Sequence, residues 1–287
     1  MINFIILYIY INMKRLRINQ QKNKLYRNFR NFRKLILQKM LEKRRNMYKY
    51  IYSTFFKTNY NPIVPQNIFQ TWHTKLLPPG MEETVSMIKS LNPRFQYFLF
   101  DDNDCFEFIK NNFNKDILNA YTSLLPGAYK ADLWRYCILY KKGGIYLDIK
   151  YRPLHSFRFI NLMEDEHFVL DNDDNCIYNA LMVCKPGNPF LLKAINKIVE
   201  NVKNKFYGES FLEPTGPLML RKLVNENNVS LNIDLKHKEL NGNSDSRYIY
   251  FKNIPIMKSY QGHCQERDQN SKKQHYGVLW KNRNIYT

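Results

Sequence analysis

Strand-like and helix-like segments alternate through most of the chain, which predicts an α/β domain with a mostly parallel central sheet. A basic, amphipathic stretch precedes the first strand signal, and the two prolines of "NPIVP" at 61–65 separate the two. The size agrees with this division: 287 residues, 44% hydrophobic and 24% charged, suffice for one large domain or two small ones. The expected organisation is an N-terminal basic helical extension over 1–60 and a globular domain over 61–287.

The extension carries most of the charge. Residues 14–60 hold fifteen Lys or Arg and one acid, Glu42, so +14 of the net +19 lies there and +5 in the rest. Before them, "MINFIILYIYINM" is apolar and uncharged for thirteen residues, and "KRLR" follows. A spanning helix needs about 20 apolar residues. The segment therefore reads as a short signal-anchor, or else as an interfacial or buried segment. A membrane-associated location follows if the segment anchors in or lies on a membrane, and a cytoplasmic one otherwise. Leu25, Phe29, Phe32, Ile36 and Met40 fall at steps of three and four, with Lys and Arg on the other faces. Such a helix suits an anionic membrane surface, suits phosphates of nucleic acid, or packs its stripe on the domain. No nucleic-acid fold signature appears, so no specific nucleic-acid partner is expected. Five cysteines without a CxxC pair argue against a disulfide framework or a zinc module.

Within the domain, strands are expected at 67–72, 94–101, 145–149, 167–171, 179–186 and 246–251. Helices are expected at 81–92, 102–113, 115–124, 127–142 and 189–204, and a turn leads into a further helix within 214–224. Asp101 and its acidic neighbours supply N-cap candidates, Gly143 and Gly144 stop the fourth helix, and Pro189 starts the fifth. No GxGxxG, GxxxxGK[ST] or GxSxG segment is present, so dinucleotide, P-loop and serine-hydrolase chemistry have no motif behind them.

Two places concentrate chemistry. In "YKKGGIYLDIK", Asp148 and Lys150 lie two apart at the end of a strand, where ligands of open α/β sheets bind. They form either a surface ion pair or the remainder of a metal-binding acidic pair. On the preceding helix Asp132 and Arg135 are three apart and share a face. As a plain intrahelical pair they contribute a few tenths of a kcal/mol. If that face looks at the strand end, they are site residues that meet sugar hydroxyls and phosphate.

The assembled pattern resembles the family 32 glycosyltransferases, sugar transferases with a DxD motif. Pro65, Ile68, Gln70 and Trp72 match the family's opening strand. Ala131, Asp132, Leu133, Arg135 and Tyr136 match its helix, and Leu139, Tyr140, Gly143, Gly144, Ile145, Tyr146 and Asp148 match the run into the motif. The match is good over residues 62–190 and weak beyond. It implies a GT-A-type nucleotide-sugar-binding fold and transfer of a sugar from a nucleotide-sugar donor to a hydroxyl on a glycan or glycoprotein, with anomeric configuration retained. It also implies the roles. Asp148, Asp132 and Arg135 would be catalytic, and Gln70, Trp72, Tyr146, Lys150 and Trp280 would bind donor. A divalent metal, Mn²⁺ or Mg²⁺, would sit on Asp148 with His275. Asp171 and Asn179 would line the acceptor side, with the turn Glu213–Pro217 bounding it.

One departure stands out. The second Asp of the motif is Lys150. Either its ammonium meets the diphosphate directly, or Asp148 holds a metal with a C-terminal ligand. His275 precedes Trp280 as the family's C-terminal His precedes a Ser-Trp segment, but Leu279 stands where the Ser would be. The competing reading is a degenerate, inactive transferase domain that acts as a membrane-surface or nucleic-acid binding module.

Overall fold

The computed structural model describes residues 19–55, 59–172, 175–240, 246–270 and 274–287. The apolar opening at 1–13 and the "KRLR" after it lie outside the described residues. Contacts divide the chain into two compact units, Met1–Phe56 and Lys57–Thr287.

In the first unit, helix α1 runs Asn19–Phe55. Of the expected stripe, Phe29 and Ile36 are half-buried, Phe32 and Met40 are exposed, and the Leu25 side chain lies outside the described residues. Among the described residues no helix is long and apolar enough to cross a membrane.

The second unit opens with β1 (Asn67–Thr71), α2 (Pro79–Leu91), β2 (Gln96–Phe100), α3 (Asp102–Asn112), α4 (Lys115–Ser123) and α5 (Gly127–Lys142). It continues with β3 (Gly144–Leu147), β4 (Tyr151–Pro153), β5 (His167–Leu170), β6 (Ile177–Cys184), α6 (Pro189–Lys203) and α7 (Pro217–Glu226). Strands β7 (Leu235–Glu239), β8 (Arg247–Phe251) and β9 (Ile254–Ser259) and helices α8 (His263–Asn270) and α9 (Tyr276–Lys281) complete it. The described strands form one sheet in the order β2-β1-β3-β6-β5-β7-β8-β9-β4. Pairing is parallel for β2, β1 and β3 and again for β5 with β7. It is antiparallel between β3 and β6, β6 and β5, and from β7 to β4. The sheet is thus mixed: crossover helices lie between the parallel-paired strands, short links join the antiparallel pairs β5–β6, β7–β8 and β8–β9, and β3–β6 and β9–β4 pair antiparallel across longer stretches of chain.

Helix boundaries follow local chemistry. Asp101 caps α3 in a reciprocal box, accepting from Asp104 N–H at 2.8 Å while the Asp104 carboxylate accepts from Asp101 N–H at 3.2 Å. Asn188 caps α6, with Pro189 in its first turn. Buried residues of α5 occupy every face of its middle, from Leu133 to Leu139. It is therefore a core helix, packed among Phe69, Tyr146, Met182, Leu191 and Leu220. A smaller cluster of Met81, Val85, Ile149 and Tyr260 holds α2, with Trp72 and Tyr97 packed against it.

The corner from α5 to β3 fixes where the site forms. The Gly143 N–H closes the helix on the Leu139 carbonyl at 2.9 Å, with φ +61°. Gly144 follows at φ +125°, and a Cβ there would lie 2.7 Å from the Asn67 carbonyl oxygen of β1. Only glycine fits both the backbone angle and the close approach of the two strands. Gly144→Ala is expected to destabilise the domain by about 2 kcal/mol or more and to lower Tm by roughly 4–8 °C, read by thermal unfolding. An unchanged Tm would mean the corner is not under this constraint.

Candidate active site

Helix α5, the end of β3 and β6 bring four charged side chains together. Asp148 follows β3 directly, and its N–H is held by the Ala180 carbonyl of β6 at 2.7 Å. Its Oδ1 accepts from the Tyr146 hydroxyl at 2.8 Å and its Oδ2 from the Lys150 ammonium at 2.7 Å. Asp148 and Lys150 do meet, but not as strand neighbours. β3 ends at Leu147, and a turn closed by the Tyr151 N–H on the Asp148 carbonyl at 3.1 Å folds Lys150 back.

Arg135 lies between both carboxylates, 3.4 Å from Asp148 Oδ1 through Nη1 and 3.4 Å from Asp132 Oδ1 through Nη2. It also donates to the carbonyls of Asn179 at 2.9 Å and Ala131 at 3.2 Å, and its guanidinium lies 4.3 Å from the Tyr146 ring centre. This is the fixed, planar, many-donor placement that guanidinium suits and ammonium does not. Asp132 is 8% exposed and accepts from Asn179 Nδ2 at 2.9 Å and the Thr215 hydroxyl at 2.8 Å. Asn179 Nδ2 also donates to the Tyr136 hydroxyl, which donates to the Thr215 carbonyl. The Asp132–Arg135 pair is therefore part of a buried network, not a surface helix pair.

The two carboxylates are tuned in opposite directions. Burial pushes Asp132 up, against the pull of Arg135, Thr215 and Asn179. Burial also acts to raise Asp148, but Lys150 and then Arg135 outweigh it and hold the carboxyl at about 2.

Lys150 sits between two rings, 5.3 Å from the centre of Tyr151 and 5.5 Å from that of Tyr178, whose hydroxyls bond each other at 2.9 Å. Beside this cluster lies His263, 6% exposed, with no partner for its Nδ1. Burial, then the Lys150 and Arg267 cations, push its imidazole down to about 3, so it is neutral. Sequence reasoning assigned no site role to Thr215, Tyr136, Tyr151, Tyr178 and His263. The turn Glu213–Pro217 was the signal for Thr215 and the family-like helix pattern the signal for Tyr136; the others carry none.

The remaining expected site residues have other partners. Gln70 is fully buried and joins three strands: its Nε2 donates to the Leu147 carbonyl at 3.2 Å and its Oε1 accepts from Tyr97 at 2.9 Å. Trp72 is half-buried, with its indole N–H enclosed and unbonded. The Trp280 N–H donates to the Tyr207 carbonyl at 2.6 Å, and its ring packs edge-on to Phe211. Asp171 is bonded to His237 Nδ1 at 2.7 Å, and His237 stacks on Tyr178 at 3.9 Å. Asn179 belongs to the Asp132 network. His275 caps α9, its Nδ1 accepting from Gly277 N–H at 3.1 Å.

The residues present do not fit a bound divalent metal. Among the described residues no three His, Cys, Asp or Glu side chains converge on a point where they could hold one. Both Asp148 oxygens already accept hydrogen bonds, one from an ammonium, and His275 Nδ1 is used in its cap.

Residues 78–169 match a family model described as the glycosyltransferase sugar-binding region containing the DXD motif. In sequence, this stretch, about a third of the chain, is similar to that sugar-binding region. At the motif's position the chain reads Asp148-Ile149-Lys150. The inositol phosphoceramide mannosyltransferase 3 of Schizosaccharomyces pombe is 32% identical over 172 residues, 59% of this chain and 47% of that one. The mannosyl phosphorylinositol ceramide synthase of Saccharomyces cerevisiae is 28% identical over 165 residues, 55% of this chain and 41% of that one. The chain thus spans about half the length of these curated relatives. Among solved structures, the PaToxG glycosyltransferase aligns at a TM-score of 0.46 and 18% identity, covering 69% of this chain and 80% of that one.

The depressed Asp148 carboxyl has a measurable consequence. A carboxyl lowered from 3.8 to about 2 contributes stability that is present above pH 4 and lost as pH falls through about 2. With the side chain 22% exposed, this is at most about 2 kcal/mol. Asp148→Asn is expected to be less stable than wild type at neutral pH, with the gap narrowing between pH 4 and pH 2 in denaturant unfolding. A gap independent of pH would show that the ion cluster does not hold this carboxylate.

Proposed function

We propose that this chain moves a sugar from a nucleotide-sugar donor to a hydroxyl on a glycan acceptor, carried on protein or lipid. The observation that carries this reading is the meeting of Asp132, Arg135 and Asp148 at the end of β3, inside the stretch that matches the family's sugar-binding region. The names of the matched relatives favour mannose as the sugar. The family resemblance favours retained configuration.

Transfer breaks the bond from the anomeric carbon to the diphosphate, leaving both electrons on the phosphate oxygen. The acceptor oxygen bonds that carbon and releases its proton. Negative charge grows on the leaving group, so cationic groups already fixed in place favour the transition state. Arg135 and Lys150 are such groups. Asp132, oriented by Asn179 and Thr215, is the acceptor of hydrogen bonds suited to sugar hydroxyls. Trp72, with its N–H unbonded, is the aromatic surface for the nucleotide base. Families carrying the DxD motif generally use a divalent metal. In this chain no step is assigned to one, because the ligand set is not assembled.

The basic helix α1 supports a second element of the proposal, placement at an anionic membrane surface. Apolar Phe32, Leu35, Met40 and Leu41 are exposed on it among Lys and Arg.

Purified protein is expected to release nucleotide from at least one of GDP-mannose, UDP-glucose and UDP-N-acetylglucosamine. Asp132→Asn and Asp148→Asn should each lower that rate by about 10²–10³ while remaining folded. Full turnover by both variants would remove the site assignment, and no turnover of any donor by wild type would favour the binding-module reading. A chain beginning at Asn61 should keep donor turnover but lose binding to phosphatidylserine vesicles. Equal vesicle binding by the long and short chains would remove the membrane role.

A further inference from the structure

We infer that Lys150 is the built-in cation of the donor site, so that this chain binds the donor diphosphate with an ammonium where relatives with a second acidic motif residue would place a divalent metal. The inference rests on the donor-site reading above.

Charge counting comes first. The cluster holds two carboxylates, Asp132 and Asp148, and two cations, Arg135 and Lys150, so it is formally neutral. An Asp at position 150 would make the same set −2. The change from Asp to Lys is two charge units, the charge of the dication it would replace. A neutral cluster meeting a diphosphate therefore has the same balance as a −2 cluster carrying a dication.

Geometry comes second. The Lys150 ammonium is 2.7 Å from Asp148 Oδ2, the place where a cation bound to this carboxylate would sit. A dication there would have to displace the ammonium or lie beside it against like-charge repulsion. Displacement is opposed by the setting: the Lys150 side chain is 12% exposed, lies near the faces of Tyr151 and Tyr178, and is anchored through its own carbonyl, which accepts from Tyr260 N–H at 3.0 Å. The two tyrosines are tied by their hydroxyls, which holds both rings beside the ammonium. The neighbouring His263 adds no charge, being neutral, and no carboxylate joins Asp148 to complete a ligand set among the described residues.

Chemistry comes third. An ammonium offers three donors and one charge. One donor is used on Asp148, and the others can take phosphate oxygens. Arg135 supplies the second positive charge, held by two backbone carbonyls independently of any ligand. A cation on a side chain cannot be chelated away.

The test has two arms. In the first, Mn²⁺ alone is titrated into wild-type protein and followed by electron paramagnetic resonance. No stoichiometric Mn²⁺ site is expected in wild type, and one is expected to appear in Lys150→Asp. In the second, GDP and UDP are titrated calorimetrically in EDTA and in Mn²⁺. Wild-type Kd for the preferred nucleotide should agree between the two media within about threefold, while Lys150→Asp should need Mn²⁺ by about tenfold or more. Should Lys150→Asp not fold, Lys150→Met, which keeps the stem without the charge, should weaken nucleotide binding in EDTA by about tenfold. Wild-type binding that requires Mn²⁺, a wild-type Mn²⁺ site lost in Asp148→Asn, or a Lys150→Met variant that binds like wild type in EDTA would each overturn the inference and leave the donor site standing. Absence of GDP and UDP binding in both media would overturn the donor-site reading, and this inference with it.

Discussion

Four charged side chains share a small, mostly buried space at the end of β3, and taking such groups out of water costs several kcal/mol per ion unless each finds a partner. Every one does. Asp148 accepts from Tyr146 and Lys150, and Asp132 accepts from Asn179 and Thr215. Arg135 lies between the two carboxylates and on two backbone carbonyls. Removing Arg135 would leave Asp132 and Asp148 to repel each other without the cation between them. The surrounding elements are placed accordingly: α5 supplies Asp132 and Arg135, β3 delivers Asp148, β6 supplies Asn179, and the turn before α7 supplies Thr215.

Two different means hold these elements in register. Between α5 and β3 it is steric, because Gly143 and Gly144 allow the chain to turn sharply and lie close on Asn67. Between β1 and β3 it is a side-chain brace, Gln70 reaching the Leu147 carbonyl one residue before Asp148. A polar residue with 0% exposure in the middle of β1 is explained by that reach and by the Tyr97 hydroxyl bonded to its other end.

Much of this was legible in the sequence, for stated reasons. Helix ends with strong local chemistry, such as Asp101, Pro189 and Gly143, were readable because capping and backbone restriction act over a few residues. Asp148 and the Asp132–Arg135 face were readable because a strand end and a helix face both follow from chain periodicity. The period-2 argument for Lys150 reached the right contact through the wrong local structure, since a turn and not a strand brings it to Asp148. Strands β4, β7 and β9 were not read. β4 is three residues long, β7 reads "LKHKE" with little apolar content, and β9 holds Pro255. Their pairing is set by tertiary contact, not by local preference. Thr215, Tyr178 and His263 come from segments far apart in the chain, and no spacing rule links them. Asp171, expected on the acceptor side, is bonded to a histidine 66 residues away, a partner that no local pattern announces.

The closed pairing of the cluster separates this protein into two electrostatic regimes. At physiological ionic strength, charges interact in the open over about 8 Å before mobile ions screen them, and buried pairs are screened much less. The charges around Arg135 meet within 3.4 Å and in near-dry surroundings, so dissolved ions have little room to intervene. The described charged side chains of α1 are exposed and, Glu42 apart, all of one sign. Buffer composition therefore acts on the two parts unequally: added electrolyte weakens what the helix attracts long before it disturbs the pairing around Asp148.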